Sequence, residues 1–179
     1  MDLHQLQLIY QREEDRILFR ASFNEDDKSL QEIRAWLTRR LVQNLWPGIV
    51  KALETQVTLD QPQAAHAKTE IVGMEYQASV SGFVERGEFN LPFDATAGAY
   101  PNGDAPLLVT AAHFTINAKL PLKINFAQAD GSGFEVGFTP KVLHAFCTLL
   151  QDAVKKAEWG MELQFPGAVG EDSKSRLLN

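Results

Sequence analysis

The chain has 179 residues, of which 45% are hydrophobic and 22% charged, and its net charge of −6 gives a pI near 5.2. This length and composition are typical of one globular domain with its own hydrophobic core. The acidic balance argues against generic nucleic-acid binding, which needs a basic surface, and no apolar run approaches the ~20 residues of a membrane span, so we expect neither a nucleic-acid nor a membrane partner.

The first predicted unit is a hairpin. Leu3–Tyr10 and Arg16–Phe23 alternate with period two, as half-buried strands do. The polar stretch 11–15 between them has the length and composition of a hairpin loop. The pattern predicts two antiparallel strands.

The stretch from Ser29 to Trp46 has the spacing of an amphipathic helix. Ser29 and Glu32 form a capping-box pattern at its start. One broad apolar face contains Leu30, Ile33, Trp36, Leu37, Leu41 and Leu45. A second, opposite face contains Ala35, Val42 and Trp46. The pattern predicts a central helix packed on both faces, with a kink or a new helix at Pro47.

The second face of this predicted helix needs a cover, because a two-layer domain buries one apolar face per helix. Either another helix of the chain, such as Thr69–Val84, or a second copy can supply it. Trp and Arg are enriched at interface hot spots, so we favour a two-fold dimer. The candidate interaction residues are Trp36, Arg39, Arg40 and Trp46.

A weaker helical pattern at Thr69–Val84 leads into a long loop. Gly73 and Gly82 lower the helix propensity of that segment. Residues 87–106 are punctuated by Pro and Gly, and a loop of this length is often functional or mobile. Whether it is an inert insertion or a binding loop stays open. A ligand pocket between the loop and the sheet would use Arg34, His113 and Tyr100.

The last third predicts a meander covered by a helix. Leu107–Asn117, Leu122–Ala127 and Phe134–Phe138 each alternate with period two, and short links join them. Thr139 is a suitable N-cap and Pro140 a favoured first helical residue. We assign residues 1–166 to a single domain and expect residues 167–179 to form a disordered tail.

Residues with catalytic potential are scattered. The four histidines (His4, His66, His113 and His144) show no metal-binding spacing. The single Cys147 lies in the apolar stripe of the last helix and is interpreted as a core residue. One cysteine excludes an internal disulfide, and the N-terminal residues lack the pattern of a signal peptide, so we predict a cytoplasmic protein. The sequence predicts no catalytic residue, no cofactor and no metal.

Two stretches resemble a known group of proteins. They read Asp-Arg-Ile-Leu-Phe-Arg at 15–20 and Ile-Arg-Ala-Trp-Leu-Thr-Arg-Arg-Leu-Val-Gln-Asn-Leu-Trp-Pro at 33–47. They are similar to a group of bacterial proteins, without an assigned activity, that share a leading hairpin and a "WLTRR…LWP" helix. The resemblance covers about 50 residues. It implies a bacterial, cytoplasmic setting and carries over no functional residue.

These patterns together predict an α+β fold: an antiparallel sheet made of the N-terminal hairpin and the C-terminal three-strand meander, packed against three to four helices. Three functions are compatible with it. The first is a non-catalytic interaction or adaptor protein that self-associates. The second is a small-ligand or anion-binding protein with a pocket between the sheet and the 87–106 loop. The third is an enzyme whose site is assembled from dispersed residues.

Overall fold

A computed structural model describes residues 2–25, 29–86, 92–94 and 99–167. Within these ranges the chain is α+β, as predicted, with seven strands, three α-helices and a 3-10 helix. In chain order the elements are β1 (Asp2–Gln11), β2 (Arg16–Glu25), β3 (Ser29–Leu37), α1 (Arg39–Asp60), the 3-10 helix (Pro62–Ala67), α2 (Lys68–Arg86), β4 (Leu107–Val109), β5 (Ala111–Thr115), β6 (Leu122–Ala127), β7 (Gly133–Phe138) and α3 (Pro140–Ala157).

The strands form two sheets, so the hairpin and the meander, which the sequence alone neither joins nor separates, lie in different ones. The sheet that contains the hairpin is not wholly antiparallel, as the sequence had predicted it to be. Sheet A has the order β1-β2-β3-β4 and sheet B the order β5-β6-β7. Sheet A is mixed, because β4 runs parallel to β3. The predicted strand Leu107–Asn117 is divided between the sheets at Thr110, whose N–H bonds to the Ala127 carbonyl. This one segment therefore connects the sheets.

The prediction of a helix from Ser29 to Trp46 is wrong over its first half. Residues Ser29–Leu37 form β3, antiparallel to β2. The stretch satisfies both periods, since Ile33 and Leu37 are spaced as on a helix face while Ile33, Ala35 and Leu37 also alternate. All three of the alternating residues are buried. The neighbouring strand β2 supplies partners for the backbone N–H and C=O groups of this segment, and this pairing makes the segment a strand rather than a helix.

Helix α1 starts after Thr38, not at Ser29. The Thr38 hydroxyl accepts a hydrogen bond from the Leu41 N–H, 3.2 Å away, as an N-cap does. The helix continues through Pro47, so no second helix begins there. Buried side chains on both sides of the proline, Trp46 and Ile49 among them, hold the two halves in one packed element.

The remaining elements follow the sequence prediction closely. The predicted helix Thr69–Val84 lies within α2, which packs against α1 and α3. Thr139 caps α3 through the Val142 N–H, and Pro140 is its first residue.

In β1 a bulge between Leu3 and Gln5 shifts the register, so that Leu3 and Leu6 face the same side.

The core lies between the inner face of sheet A, sheet B and the helices. Phe19 of β2 is fully buried at its centre. Its ring packs 5.6 Å from that of Phe126, 5.8 Å from that of Phe134 and 6.1 Å from that of Phe146. This one side chain joins sheet A, sheet B and α3. Because they all lie on one side of sheet A, the opposite face of that sheet points away from the core.

Two of the segments discussed above fall outside the described residues. They are residues 168–179 of the predicted disordered tail, and residues 87–91 and 95–98 of the predicted loop.

Candidate functional site

An apolar row crosses the outer face of sheet A. It consists of Ile9, Leu18, Trp36 and Leu108, which are direct neighbours in the strand register. Strand alternation turns them outward, because the residues beside them, such as Ile17 and Leu37, point into the core. Ile9 is 36% and Leu108 39% exposed, while Leu18 and Trp36 are half-buried. Four apolar side chains thus span the full width of the sheet on its solvent side.

The next row on the same face is polar. Arg20 lies opposite Gln7 and Arg34, and its guanidinium binds the buried carboxylate of Glu32 with Nε–Oε1 at 2.6 Å. Its Nη1 donates to Gln7, and its Cζ lies 4.1 Å from the centre of the Phe93 ring. The charge of Arg20 is therefore compensated by Glu32, so Arg20 is part of the structure of sheet A rather than a free anion site.

Two of the three predicted pocket residues meet. The guanidinium of Arg34 stacks 4.0 Å above the Tyr100 ring and donates to the Asp104 carbonyl at 2.6 Å. His113 lies elsewhere, exposed on β5 of sheet B opposite Asn125. Arg34 and Tyr100 thus attach the described part of the 87–106 segment to the sheet.

Three of the four candidate interaction residues lie near one another in the chain at one end of the sheet. Arg39 and Arg40 are exposed in the first turn of α1, close after Trp36. The pKa of the Asp15 carboxyl in the β1–β2 loop is lowered, first by hydrogen bonds from Trp159 and Tyr10 and also by the charge of Arg39. Arg39 therefore lies beside the hairpin loop, at the end of sheet A where the apolar row is.

Trp46 is separate from the other three. It is 6% exposed, its ring packs 5.0 Å from that of Phe165, and its Nε1 donates to the Gln164 carbonyl at 3.1 Å. Phe165 also packs 4.3 Å from Tyr76 of α2. The second apolar face of the helix is therefore covered within the chain, by residues that sequence reasoning did not pair with it.

A cavity of about 330 Å³ opens along the edge of sheet A. One wall is the consecutive stretch 3–7 of β1, and the other is a stripe of α3 formed by Val142, Ala145 and Leu149. Phe83 of α2 and Phe93 close it. Sequence reasoning missed this site, because no local pattern tells which strand becomes an edge.

The interface of α2 and α3 holds a buried histidine. The Ser79 hydroxyl lies 2.8 Å from Nδ1 of His144, whose Nε2 has no hydrogen-bond partner among the described residues. Burial lowers the pKa of His144 to about 4. It also raises the pKa of the fully buried Cys147 thiol. Both groups are neutral at pH 7 and closed off from solvent, so this pair of residues lacks access to a substrate.

Within the described residues, no three His, Cys, Asp or Glu side chains are grouped to hold a metal ion. In the same part of the chain, no helix combines the length and apolarity needed to cross a bilayer. No protein-family model, curated protein or solved structure matches the chain.

Proposed function

We propose that this protein is a non-catalytic interaction protein that self-associates through the outer face of sheet A. The apolar row carries the proposal, because it aligns four apolar side chains on the solvent side of the sheet. Contiguous exposed apolar patches are characteristic of interaction sites. Trp36 supplies the largest side chain of the row, and tryptophan is enriched among residues that dominate binding energy.

Charges of both signs beside the row favour a second copy as the partner. Arg39 and Arg40 are exposed at the end of sheet A that also carries the hairpin loop, in which Glu13 and Glu14 are exposed. A two-fold axis presents the same patch from both copies. The basic pair of one copy then faces the acidic pair of the other, which gives complementary charge across the interface.

The size of the surface sets the expected affinity. A stable interface buries ~800 Å² on each partner, and four side chains of the apolar row cover only part of that area. The contact must therefore extend over a polar rim that includes the hairpin loop. We expect a dimer that dissociates at micromolar concentration.

Sedimentation equilibrium over the micromolar range tests the proposal. The wild type should reach twice the 20.0 kDa of one chain. Ile9→Lys places a charge in the apolar row and should weaken the dimer by at least ~10-fold, which corresponds to about 1.4 kcal/mol. The matched control is Leu120→Lys, since Leu120 is also an exposed aliphatic residue (58%) but lies outside sheet A.

A charge exchange tests the orientation of the two copies. Arg39→Glu/Arg40→Glu should weaken the dimer, and adding Glu13→Arg/Glu14→Arg should restore it. A wild-type chain that stays at 20.0 kDa throughout would remove the proposal. A dimer insensitive to both Ile9→Lys and the exchange would place the interface elsewhere.

We also propose a bacterial, cytoplasmic setting for this protein. The resemblance of the two N-terminal stretches supports it, and so does the use of a single cysteine, which suits a reducing compartment. Cell fractionation with an antibody to the chain tests it, and recovery in a secreted or envelope fraction would contradict it.

A further inference from the structure

We propose that a cavity at the C-terminal end of α1 binds a small primary amine with an apolar body. The cavity has a volume of about 280 Å³ and lies between α1, the segment that leads into β6, and the junction of β7 with α3. It shares no residue with the apolar row or with the pocket expected beside the 87–106 segment. We call it the α1 cavity, lined by Leu53, Gln56 and Asp60, by the stretches 119–122 and 138–140, and by Leu143.

The walls of the α1 cavity belong entirely to the described part of the chain. Its three stretches, 53–60, 119–122 and 138–143, each continue into described residues on both sides. An apolar cavity of ~150 Å³ is large enough to hold benzene. The α1 cavity, at about 280 Å³, therefore has room for a ligand of about six to ten non-hydrogen atoms.

Most of the lining is apolar. Leu53 of α1, Leu122 of β6 and Leu143 of α3 are buried, and so is the ring of Phe138 at the end of β7. These side chains offer dispersion contacts and no hydrogen bonds. They are therefore suited to the hydrocarbon part of a ligand.

One wall carries a hydrogen-bond acceptor without a partner. Gln56 is 9% exposed, and its Nε2 donates to Asp60 Oδ2 at 2.8 Å and to the Asn117 carbonyl at 3.0 Å. These two bonds use both N–H groups and fix the orientation of the carboxamide. Its Oε1 is buried and has no hydrogen-bond partner among the described residues. A buried acceptor in this state destabilises the fold, and an N–H group of a ligand would satisfy it.

A carboxylate lies beside this acceptor. Asp60 is half-buried at the end of α1, and its Oδ1 accepts a hydrogen bond from the Lys119 N–H. Both donors to Asp60 are neutral amides, so these bonds do not cancel its negative charge. The pKa of the Glu75 carboxyl is raised, first by burial and then by the charge of Asp60, so a second carboxylate lies nearby. The polar end of the cavity therefore combines acceptors with negative charge.

An ammonium group fits this combination, because it carries three N–H donors and a positive charge. Gln56 and Asp60 are hydrogen-bonded to each other, so one nitrogen can contact Oε1 of the first and the carboxylate of the second.

Two neighbours of the cavity favour a negative group instead. They are Lys119, whose exposed side chain borders the mouth, and Thr139 at the positive end of the α3 dipole. The unpartnered atom decides between the two charges. An anion would bring a further acceptor to Gln56 Oε1 and a like charge to Asp60, whereas an amine supplies what both of them lack.

Calorimetric titration with three ligands of equal chain length tests the proposal. They are n-hexylamine, 1-hexanol and hexanoate at pH 7, where the amine is protonated and the acid ionised. The amine should bind at least ~10-fold more tightly than the alcohol, because only the amine adds a charge contact with Asp60. Hexanoate should bind most weakly of the three.

Nuclear magnetic resonance locates the bound amine. The methyl signals of Leu53, Leu122 and Leu143 should shift, since these side chains contact the hydrocarbon body. The side-chain NH₂ signals of Gln56 should shift as well. Its Oε1 is closed off from water in the free protein, so the carboxamide has to move to meet the ammonium.

Two variants with matched controls separate the charge contact from the apolar one. Asp60→Asn should reduce the affinity for the amine at least ~10-fold and leave that for the alcohol within ~3-fold. Asp152→Asn removes the same charge outside the cavity and should change neither. Leu120→Lys brings a tethered ammonium to the cavity wall and should also weaken amine binding at least ~10-fold. Val84→Lys adds the same charge at an exposed residue outside the cavity and should not.

Far-UV spectra that match the wild type confirm that the variants fold. If Asp60→Asn does not fold, Leu120→Lys decides the matter, because Leu120 is 58% exposed and its side chain supports little of the core.

Three results would overturn the proposal. The first is hexanoate binding as tightly as the amine, which would mean that Lys119 and the α3 terminus determine the ligand. The second is amine binding that neither Asp60→Asn nor Leu120→Lys weakens, which would mean adventitious binding elsewhere. The third is no binding of the amine at millimolar concentration. Ile9→Lys should leave amine binding unchanged and Leu120→Lys should leave the dimer intact, so failures of the two proposals are distinguishable.

Discussion

The guanidinium of Arg20 donates two hydrogen bonds to the carboxylate of Glu32, at 2.6 and 3.1 Å, and the Glu32 side chain is 0% exposed. Arg20→Met leaves that buried carboxylate without its counter-ion, so we expect a loss of about 3 kcal/mol in the free energy of unfolding. The double variant Arg20→Met/Glu32→Leu should lose less, because no buried charge remains. Urea denaturation measures both.

The control for this ion pair is Lys123–Glu135, which also joins two strands but is about half exposed on both sides. Lys123→Met should change the free energy of unfolding by less than ~1 kcal/mol. If Arg20→Met costs no more than Lys123→Met, the buried pair is not a structural determinant of sheet A.

His144 makes stability depend on pH. Its pKa is about 4 because burial disfavours the charged ring, while the pKa in the unfolded chain is ~6.5. Between these values the unfolded chain binds a proton and the native chain does not. The free energy of unfolding should therefore be highest above pH 6.5 and fall by up to ~3 kcal/mol as the pH drops to 4.

Chemical denaturation of the wild type and of His144→Leu across this pH range measures the effect. The free energy of unfolding of His144→Leu should stay constant over the pH range in which that of the wild type falls. The pKa values of the Asp15 and Asp130 carboxyls are lowered by hydrogen bonds from Trp159 and Ser132 respectively. Protonation of these two carboxyls should therefore reduce the free energy of unfolding only at lower pH. Equal slopes for variant and wild type between pH 4 and 6.5 would contradict the prediction.

Two glycines of β7 differ sharply in the space beside them. A Cβ on Gly133 would lie 2.0 Å from the Phe126 carbonyl oxygen, whereas a Cβ on Gly137 meets no atom within 4 Å. Gly133→Ala should cost about 2 kcal/mol, because β6 and β7 must move apart. Gly137→Ala should be neutral or gain ~0.5 kcal/mol through a less flexible unfolded chain.

Thermal unfolding compares the two variants on one strand. At ~2–4 °C for each kcal/mol, Gly133→Ala should melt several degrees below the wild type and Gly137→Ala close to it. Similar melting temperatures for both would mean that β7 does not approach β6 as closely as the structure has it.

Cys147 should be inert in the folded protein. The thiol is 0% exposed and burial raises its pKa, so little reactive thiolate forms. Reaction with a chromogenic thiol reagent should therefore proceed at the rate of opening or unfolding and should accelerate with urea. Stoichiometric labelling within seconds in native buffer would show that local opening of α3 exposes Cys147 far more often than the packing of this helix implies.

Local patterns in the sequence were enough for the elements that depend on nearby residues. The hairpin β1–β2, the three meander strands that become β5–β7, and α3 were all predicted. Period-two alternation identifies half-buried strands, and Thr139 with Pro140 marks a helix start through contacts within one turn. The α+β class follows from these elements.

Tertiary structure decided the state of residues 29–37 and the sheet to which each strand belongs. Ser29–Leu37 fits a helix and a strand equally well by period, and only pairing with β2 and burial of Glu32 against Arg20 select the strand. Arg20 lies on another strand, twelve residues before Glu32, so the deciding interaction lies outside the segment whose periodicity is being read. The parallel pairing of β3 with β4 is of the same kind.

The candidate surfaces divide in the same way. The sequence identified Trp36, Arg39 and Arg40 as unusual residues, yet the apolar row exists only because four strands align Trp36 with Ile9, Leu18 and Leu108. Trp46 was assigned to an interface, whereas Phe165 covers it from more than a hundred residues away. The cavity beside residues 3–7 of β1 had no sequence signal at all. An edge strand is defined by the neighbour it lacks, and that neighbour is determined by the packing of the whole chain.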